Sequence, residues 1–349
     1  MKILIYSDLH CCYTTSLLPI YCEGSKYTTR LQMVIDTGKW IAEMADKFNV
    51  DTIINGGDTF DSNIVRSEEI SAISEFFSYF PDDIRHIIIV GNHEMLNDNF
   101  NFANAFKNTS CVEVYDKPRK LDDTISVIPY MKADKINPEL LSSISNEFLI
   151  SHIDIKGSCL RDDYILDEGV DPDLIAEYFK FTANGHLHTA EKLSTMKNTV
   201  YNIGSVSSVS FVDSNSYIPS ICIYDTDTGE LKRIPNPNAI LFRKMNISTV
   251  DDLITRLSKF DKRYRYVVRV TCPYNIREDI RSIVSRTDNI VSYRVVANIG
   301  RSKFSGSSSV IAKLNSNRDM KVEFRRYLEN NPEVMNYPTE EYRKVIDEI

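Results

Sequence analysis

Five short apolar runs in this chain each break into residues that bind cations or move protons. Residues 2–7 (KILIYS) lead into Asp8-Leu9-His10, and residues 52–55 (TIIN) into Gly56-Gly57-Asp58-Thr59-Phe60-Asp61. Residues 86–90 (HIIIV) lead into Gly91-Asn92-His93-Glu94, residues 147–151 into His152, and residues 179–182 towards Asn184-Gly185-His186-Leu187-His188. Of six histidines in the chain, five (His10, His93, His152, His186, His188) stand at such ends; His86 opens the HIIIV run and reads as structural. Apolar runs without polar alternation suit strands buried on both faces, the condition of a mostly parallel sheet covered by helices. In such a fold the carboxyl ends of the strands share one edge, where ligands bind. Five distant segments are therefore expected to meet in one pocket.

The residue types suit a divalent cation of the Mn, Fe or Zn kind, which accepts imidazole nitrogen and carboxylate oxygen together, whereas Mg or Ca favours oxygen alone. In Asp8-x-His10 and His186-x-His188 the spacing puts both side chains on one face of an extended strand. Glycines at 56, 57, 91 and 185 allow sharp turns and close backbone approach. Asn92 adds a neutral oxygen. Two cations about 3.5–4 Å apart in such a cluster would hold a bridging hydroxide and polarise a phosphoryl group.

The organisation is that of a layered α/β protein. Residues 28–49 predict a helix, with Leu31, Val34, Ile35, Trp40, Ile41 and Met44 near 3.6 spacing. A second is predicted over 67–80, with strands at 124–129 and 200–203 and a short helix from Asp171-Pro172 through Tyr178. Residues 218–224 and 230–234 flank Asp227-Thr228-Gly229 as a hairpin. After Pro235-Asn236-Pro237 the pattern becomes a β-α-β-α-β unit: strands at 241–247, 266–271 and 289–297, helices at 250–260 and 276–285. The domains expected are 1–238, a basic α+β cap at 239–301, a Ser/Gly/Asn-rich linker at 302–317, and a helical pair at 318–349.

Charge follows the same division. Residues 1–240 hold 20 Lys and Arg against 35 Asp and Glu, while residues 241–300 hold 12 against 6. An acidic part is thus joined to a basic part able to face a polyanion. Seven cysteines, without a CxxC pair, are neither a disulfide framework nor a zinc knuckle. Cys11 and Cys12 read as packing residues. No apolar run nears the roughly 18 residues of a membrane span, and the start lacks a signal-peptide pattern. A cytoplasmic protein is expected, in the host cytoplasm if the source is viral.

The ordered set Asp8-x-His10, Gly57-Asp58-x-x-Asp61, Gly91-Asn92-His93-Glu94, His152 and Gly185-His186-x-His188 resembles the five motifs of the calcineurin-like metallophosphoesterases, over residues 1 to about 235. The resemblance implies a β-sandwich flanked by helices and a binuclear site, with Mn the expected metal. Asp8, His10 and His188 would hold one ion, and Asn92, His152 and His186 the other, with Asp58 shared. His93 would contact the phosphate and protonate the leaving oxygen, its ring oriented by Asp61.

Within that family, Gly57-Asp58-Thr59-Phe60-Asp61 is similar to the GDxFD form of the SbcD-type nuclease subunits. Ile128-Pro129-Tyr130 and the stretch from Gly204-Ser205 to Ser210-Phe211 resemble segments of the same group, and the length is nearer to its phage T4-like members. Asp61 is followed by Ser-Asn, unlike the Arg-Gly of the serine/threonine phosphatases. The resemblance implies DNA break repair and recombination, a DNA-facing cap, docking of an SbcC-type ATPase on the C-terminal helices, and a homodimer. The alternative is a small-molecule phosphodiesterase or phosphomonoesterase.

Overall fold

The computed structural model describes residues 1–298 apart from 15–20, 22–23, 98–99, 108–111, 162–163 and 212–216. The chain divides into two units, Met1–Asn298 and Ile299–Ile349; the second, with the expected linker and helical pair, lies outside the described residues.

Two six-stranded sheets lie face to face. Strands are numbered in chain order. The first sheet contains β1 (Lys2–Tyr6), β2 (Thr52–Asn55), β3 (Arg85–Ile89), β6 (Val112–Tyr115), β15 (Ser220–Asp225) and β16 (Leu231–Pro235), in the order β16-β15-β1-β2-β3-β6. The second contains β7 (Arg119–Lys120), β8 (Ile125–Ile128), β9 (Asn146–Ser151), β12 (Phe179–Asn184), β13 (Glu191–Lys192) and β14 (Thr199–Asn202), in the order β13-β14-β12-β9-β8-β7. β1, β2, β3 and β6 run parallel, as do β8, β9, β12 and β14. Two small hairpins lie outside the sheets: β4 (Met95–Asn97) with β5 (Phe100–Asn101), and β10 (Cys159–Arg161) with β11 (Tyr164–Ile165).

Strand alternation makes the layers. Ile3, Ile5, Ile54, Ile87 and Ile89 meet Ile125, Val127, Phe148, Ile150 and Phe181 between the sheets. The intervening Leu4, Tyr6, Ile53 and Ile88 pack outward under α1 (Thr29–Phe48) and α2 (Ser67–Ser78). Ile128, Leu149 and Val200 do the same for the second sheet, under α3 (Pro138–Ser143) and α4 (Pro172–Tyr178). This is a four-layered α/β sandwich. Its central strands, β1, β2, β3 and β8 among them, lack a polar face because neither face meets water. Helix α1 starts at Thr28, whose hydroxyl accepts the Leu31 N–H, and stops at Asn49, left-handed at φ 49°.

Some elements end at other residues than the sequence predicts. β12 runs two residues past Thr182, to Asn184, which carries the strand to the turn of the fifth motif. After β5 the chain makes a 3₁₀ turn over Phe102–Phe106. On α2, Ile73, Phe76 and Phe77 are buried, whereas Ile70 is exposed.

A third sheet follows, with β17 (Ile240–Asn246), β18 (Arg265–Pro273) and β19 (Ile290–Asn298) all parallel. Its helices are α5 (Val250–Leu257) and α6 (Arg277–Ser285), whose Leu253, Ile280 and Val284 pack on Val268 and Val270. Phe242 and Val267 join the core beneath α1. Lys259, Lys262, Arg281 and Arg286 are exposed, and Arg256 and Arg263 pair with Asp252 and Asp261. No helix among the described residues is long and apolar enough to cross a membrane.

Candidate metal centre

The parallel strands of both sheets end on one side, so the turns after β1, β2, β3, β9 and β12 converge. Asp8, His10, Asp58 and His186 all have left-handed backbone, with φ of 54°, 46°, 53° and 70°. Such geometry costs about 1–3 kcal/mol per residue and is held only where its surroundings over-determine it. Close approach explains two glycines. A Cβ on Gly57 would run into the His152 ring, and one on Gly91 into the Asp58 carboxylate.

Ligand-type atoms of Asp8, His10 and His188 lie within 4.8 Å of one another, as do those of Asp58, His152 and His186. Asp58 connects the groups: its Oδ2 is 3.2 Å from His152 Nε2 and 3.9 Å from His10 Nε2. Its other oxygen accepts the His93 N–H at 3.0 Å. Asn92 Oδ1 is 3.2 Å from His152 Nε2. All seven expected ligands are thus in one place.

The donor set fits cations. Asp8 Oδ1 is buried without a hydrogen-bond partner, a costly state for a carboxylate. It stands 3.9 Å from Nε2 of both His10 and His188, and those two nitrogens face each other at 3.0 Å. A cation between them satisfies all three atoms. Ring orientations are fixed from behind. His152 Nδ1 donates to the Gly56 carbonyl at 2.6 Å, and His186 Nε2 donates to Asp154 Oδ1 at 3.0 Å. Each leaves its other nitrogen for the centre, the arrangement that makes imidazole a directed ligand.

Asp61 departs from expectation. His93 Nδ1 meets the main-chain carbonyl of Asp61 at 2.7 Å, while the Asp61 carboxylate lies 3.3 Å from His10 Nδ1. Segment 58–61 pairs with 8–11 (His10 N–H to Asp58 O, Cys11 N–H to Thr59 O), which carries the Asp61 side chain over His10. Asp61, His10 and His93 form a third close group. It uses the rear nitrogen of His10, so it supports that ring rather than adding a separate centre.

Three supporting residues have roles that the sequence pattern does not assign. Arg30 of α1 is buried and donates to the carbonyls of Leu9, His10 and Ser208 and to Ser207 Oγ, at 2.8–3.2 Å. It therefore clamps the left-handed turn carrying His10. Glu94 accepts the N–H groups of Asp58, Phe60 and Gly91 at 3.2, 3.0 and 2.8 Å. Burial, aided by Asp58, pushes its carboxyl up to about 7. Asp154 had a signal, since His152-x-Asp154 is another same-face pair. Ser151 holds the strand ends through Asn184 Oδ1 at 2.7 Å. His86 packs among Phe77 and Phe80, and burial lowers it to about 3, so it is neutral.

Arg30→Met should destabilise the chain by about 2–4 kcal/mol, because three buried carbonyls lose their donor. Urea unfolding measures this, and an unchanged midpoint would remove Arg30 from its role. A second expectation concerns pH. Burial disfavours a charged His152, but the adjacent Asp58 carboxylate outweighs it and raises the ring to about 9. A cation needs the neutral ring, so Mn uptake must displace this proton. Affinity should therefore rise with pH, by up to about tenfold per unit, and level off near pH 9. Calorimetry in buffers of different ionisation heat should record proton release; uptake independent of pH would contradict it.

Residues 1–203 match the family model described as calcineurin-like phosphoesterase. No curated protein sequence matches the chain. Among solved structures, an archaeal phosphodiesterase is 16% identical with a TM-score of 0.37, covering 67% of this chain and 99% of its own. A Thermus thermophilus protein is 9% identical with a TM-score of 0.41, covering 67% and 98%. A dimetal phosphatase from Danio rerio is 9% identical with a TM-score of 0.37, covering 64% and 91%.

Proposed function

The chain belongs to the calcineurin-like phosphoesterase family, and from that membership we propose a Mn-dependent DNA nuclease, the hydrolytic subunit of an SbcCD-like break-repair and recombination complex. One observation carries the catalytic part: Asp58 groups with His152 and His186 and lies 3.9 Å from His10 of the other group, with the main-chain N–H of His93 bonded to its carboxylate. The GDxFD form at 57–61 and the exposed Lys259, Lys262, Arg281 and Arg286 on the helical side of the third sheet's unit support DNA over smaller esters. The proposal extends to an SbcC-type ATPase at residues 318–349 and to a second copy of the chain.

Two divalent cations bound here would acidify a water and withdraw charge from the phosphoryl oxygens. The protein supplies the rest. Asp8, His10 and His188 would hold one ion and Asn92, His152 and His186 the other, with Asp58 common to both. His93 has Nδ1 tied to the Asp61 carbonyl, so its Nε2 is the nitrogen left to bind a phosphoryl oxygen and give the leaving oxygen a proton. Its edge-on contact with His10, at 4.7 Å between centroids, keeps it beside the ligands.

The test is cleavage of end-labelled linear duplex and of single-stranded circles by the Mn-loaded chain. Release of nucleotides from the duplex and nicking of circles are expected. Turnover of nitrophenyl phosphates without DNA cleavage would move the chain to the small-molecule esterases.

A further inference from the structure

A small open cleft of about 110 Å³ adjoins the metal centre. Tyr130, just past β8, forms the wall between the two. Its ring lies 5.9 Å from that of His186, centroid to centroid, and it also lines the cleft. Its N–H donates to Val90 O at 2.8 Å, which ties the end of β8 to the end of β3 and fixes the ring at the carboxyl edge of both sheets.

The other walls have a definite chemistry. Hairpin β4–β5 brings Met95, Asn97 and Asn101 to the cleft. Asn101 Oδ1 accepts the Asn104 N–H at 3.1 Å, which sets the plane of its amide. Lys117 stands exposed at the rim. An aromatic ring, a polarizable thioether and two carboxamides suit a flat heteroaromatic ligand with hydrogen-bonding edges. Lys117 adds a cation to the lining, and Asp116, whose carboxylate pairs with Lys107 at 3.4 Å, an anion. Through Tyr130 the cleft adjoins His186 of the metal centre.

We propose that this cleft is a nucleobase subsite, taking the base of the nucleotide whose phosphate sits at the metal centre and stacking it on Tyr130. The inference rests on the nuclease reading of the same site and adds to it the place where the base beside the scissile phosphate is held. It also assigns Tyr130 a role in selecting substrate.

The experiment uses the full Mn-loaded chain and two esters with the same leaving group, thymidine 5′-(4-nitrophenyl phosphate) and methyl 4-nitrophenyl phosphate. Wild type should prefer the nucleoside ester at least tenfold in kcat/KM. Tyr130→Ala should reduce that preference about 5- to 150-fold, mainly through KM, the range set by base–aromatic stacking. Tyr130→Trp should restore it. Hydrolysis of both esters without preference, or a preference untouched by Tyr130→Ala, overturns the subsite alone. Loss in Ala and Trp variants alike assigns Tyr130 to structure and overturns the stacking. Turnover of neither ester overturns the phosphodiesterase reading and this inference with it.

Discussion

Replacing Asp58 by asparagine should lower turnover by on the order of 10³, because cation stabilisation of the phosphoryl charge is worth several kcal/mol and each 1.4 kcal/mol is tenfold. The size follows from its position. One oxygen reaches His152 and His10 at 3.2 and 3.9 Å, and the other accepts the His93 N–H at 3.0 Å. Asparagine keeps the shape and one acceptor but gives up the charge shared by the two ligand groups. The variant should consequently bind fewer Mn ions per chain. Single-turnover DNA cleavage together with metal analysis measures both effects. Full activity with two ions per chain would exclude a shared carboxylate.

His93→Gln should lower kcat by about 10²–10⁴-fold, the usual range for a positioned proton donor, and leave the metal content at the wild-type value. Glutamine can still reach an oxygen, but it has no proton to give. The imidazole is held through Nδ1 at the Asp61 carbonyl, and the residue's main-chain N–H is bonded to Asp58. Neither occupies Nε2. The split between kcat and metal content separates the two possible roles: a fall in bound Mn would make His93 a ligand, and unchanged kcat would deny it any part in proton transfer. A substrate with an acidic leaving group, such as a nitrophenyl ester, should suffer less from the change than DNA.

Much of this centre was legible in the sequence, for a physical reason. The runs KILIY, TIIN and HIII have no polar face, so they had to be covered strands, and covered parallel strands must end at a common edge. The residues that follow them are therefore neighbours however far apart in the chain. The supporting contacts were not legible. Arg30 lies in the first turn of α1, where an arginine is an ordinary surface residue, and nothing nearby marks that its guanidinium turns inward to three carbonyls. Asp61 was seen, but its orientation depends on the pairing of 58–61 with 8–11, a tertiary contact without a local signal. Strand β6 (VEVY) was missed because it is four residues long, lies at a sheet edge and has a partly exposed face. The cleft beside Tyr130 depends on hairpin β4–β5 reaching over the end of β8, which no periodicity announces.

The central claim is that two cations share Asp58. Anomalous diffraction from crystals grown with Mn, at the metal absorption edge, tests it most directly. Two peaks about 3.5–4 Å apart are expected, with Asp58 touching both, Asp8, His10 and His188 on one, and Asn92, His152 and His186 on the other. A single peak, or two peaks with Asp58 bound to neither, would contradict it.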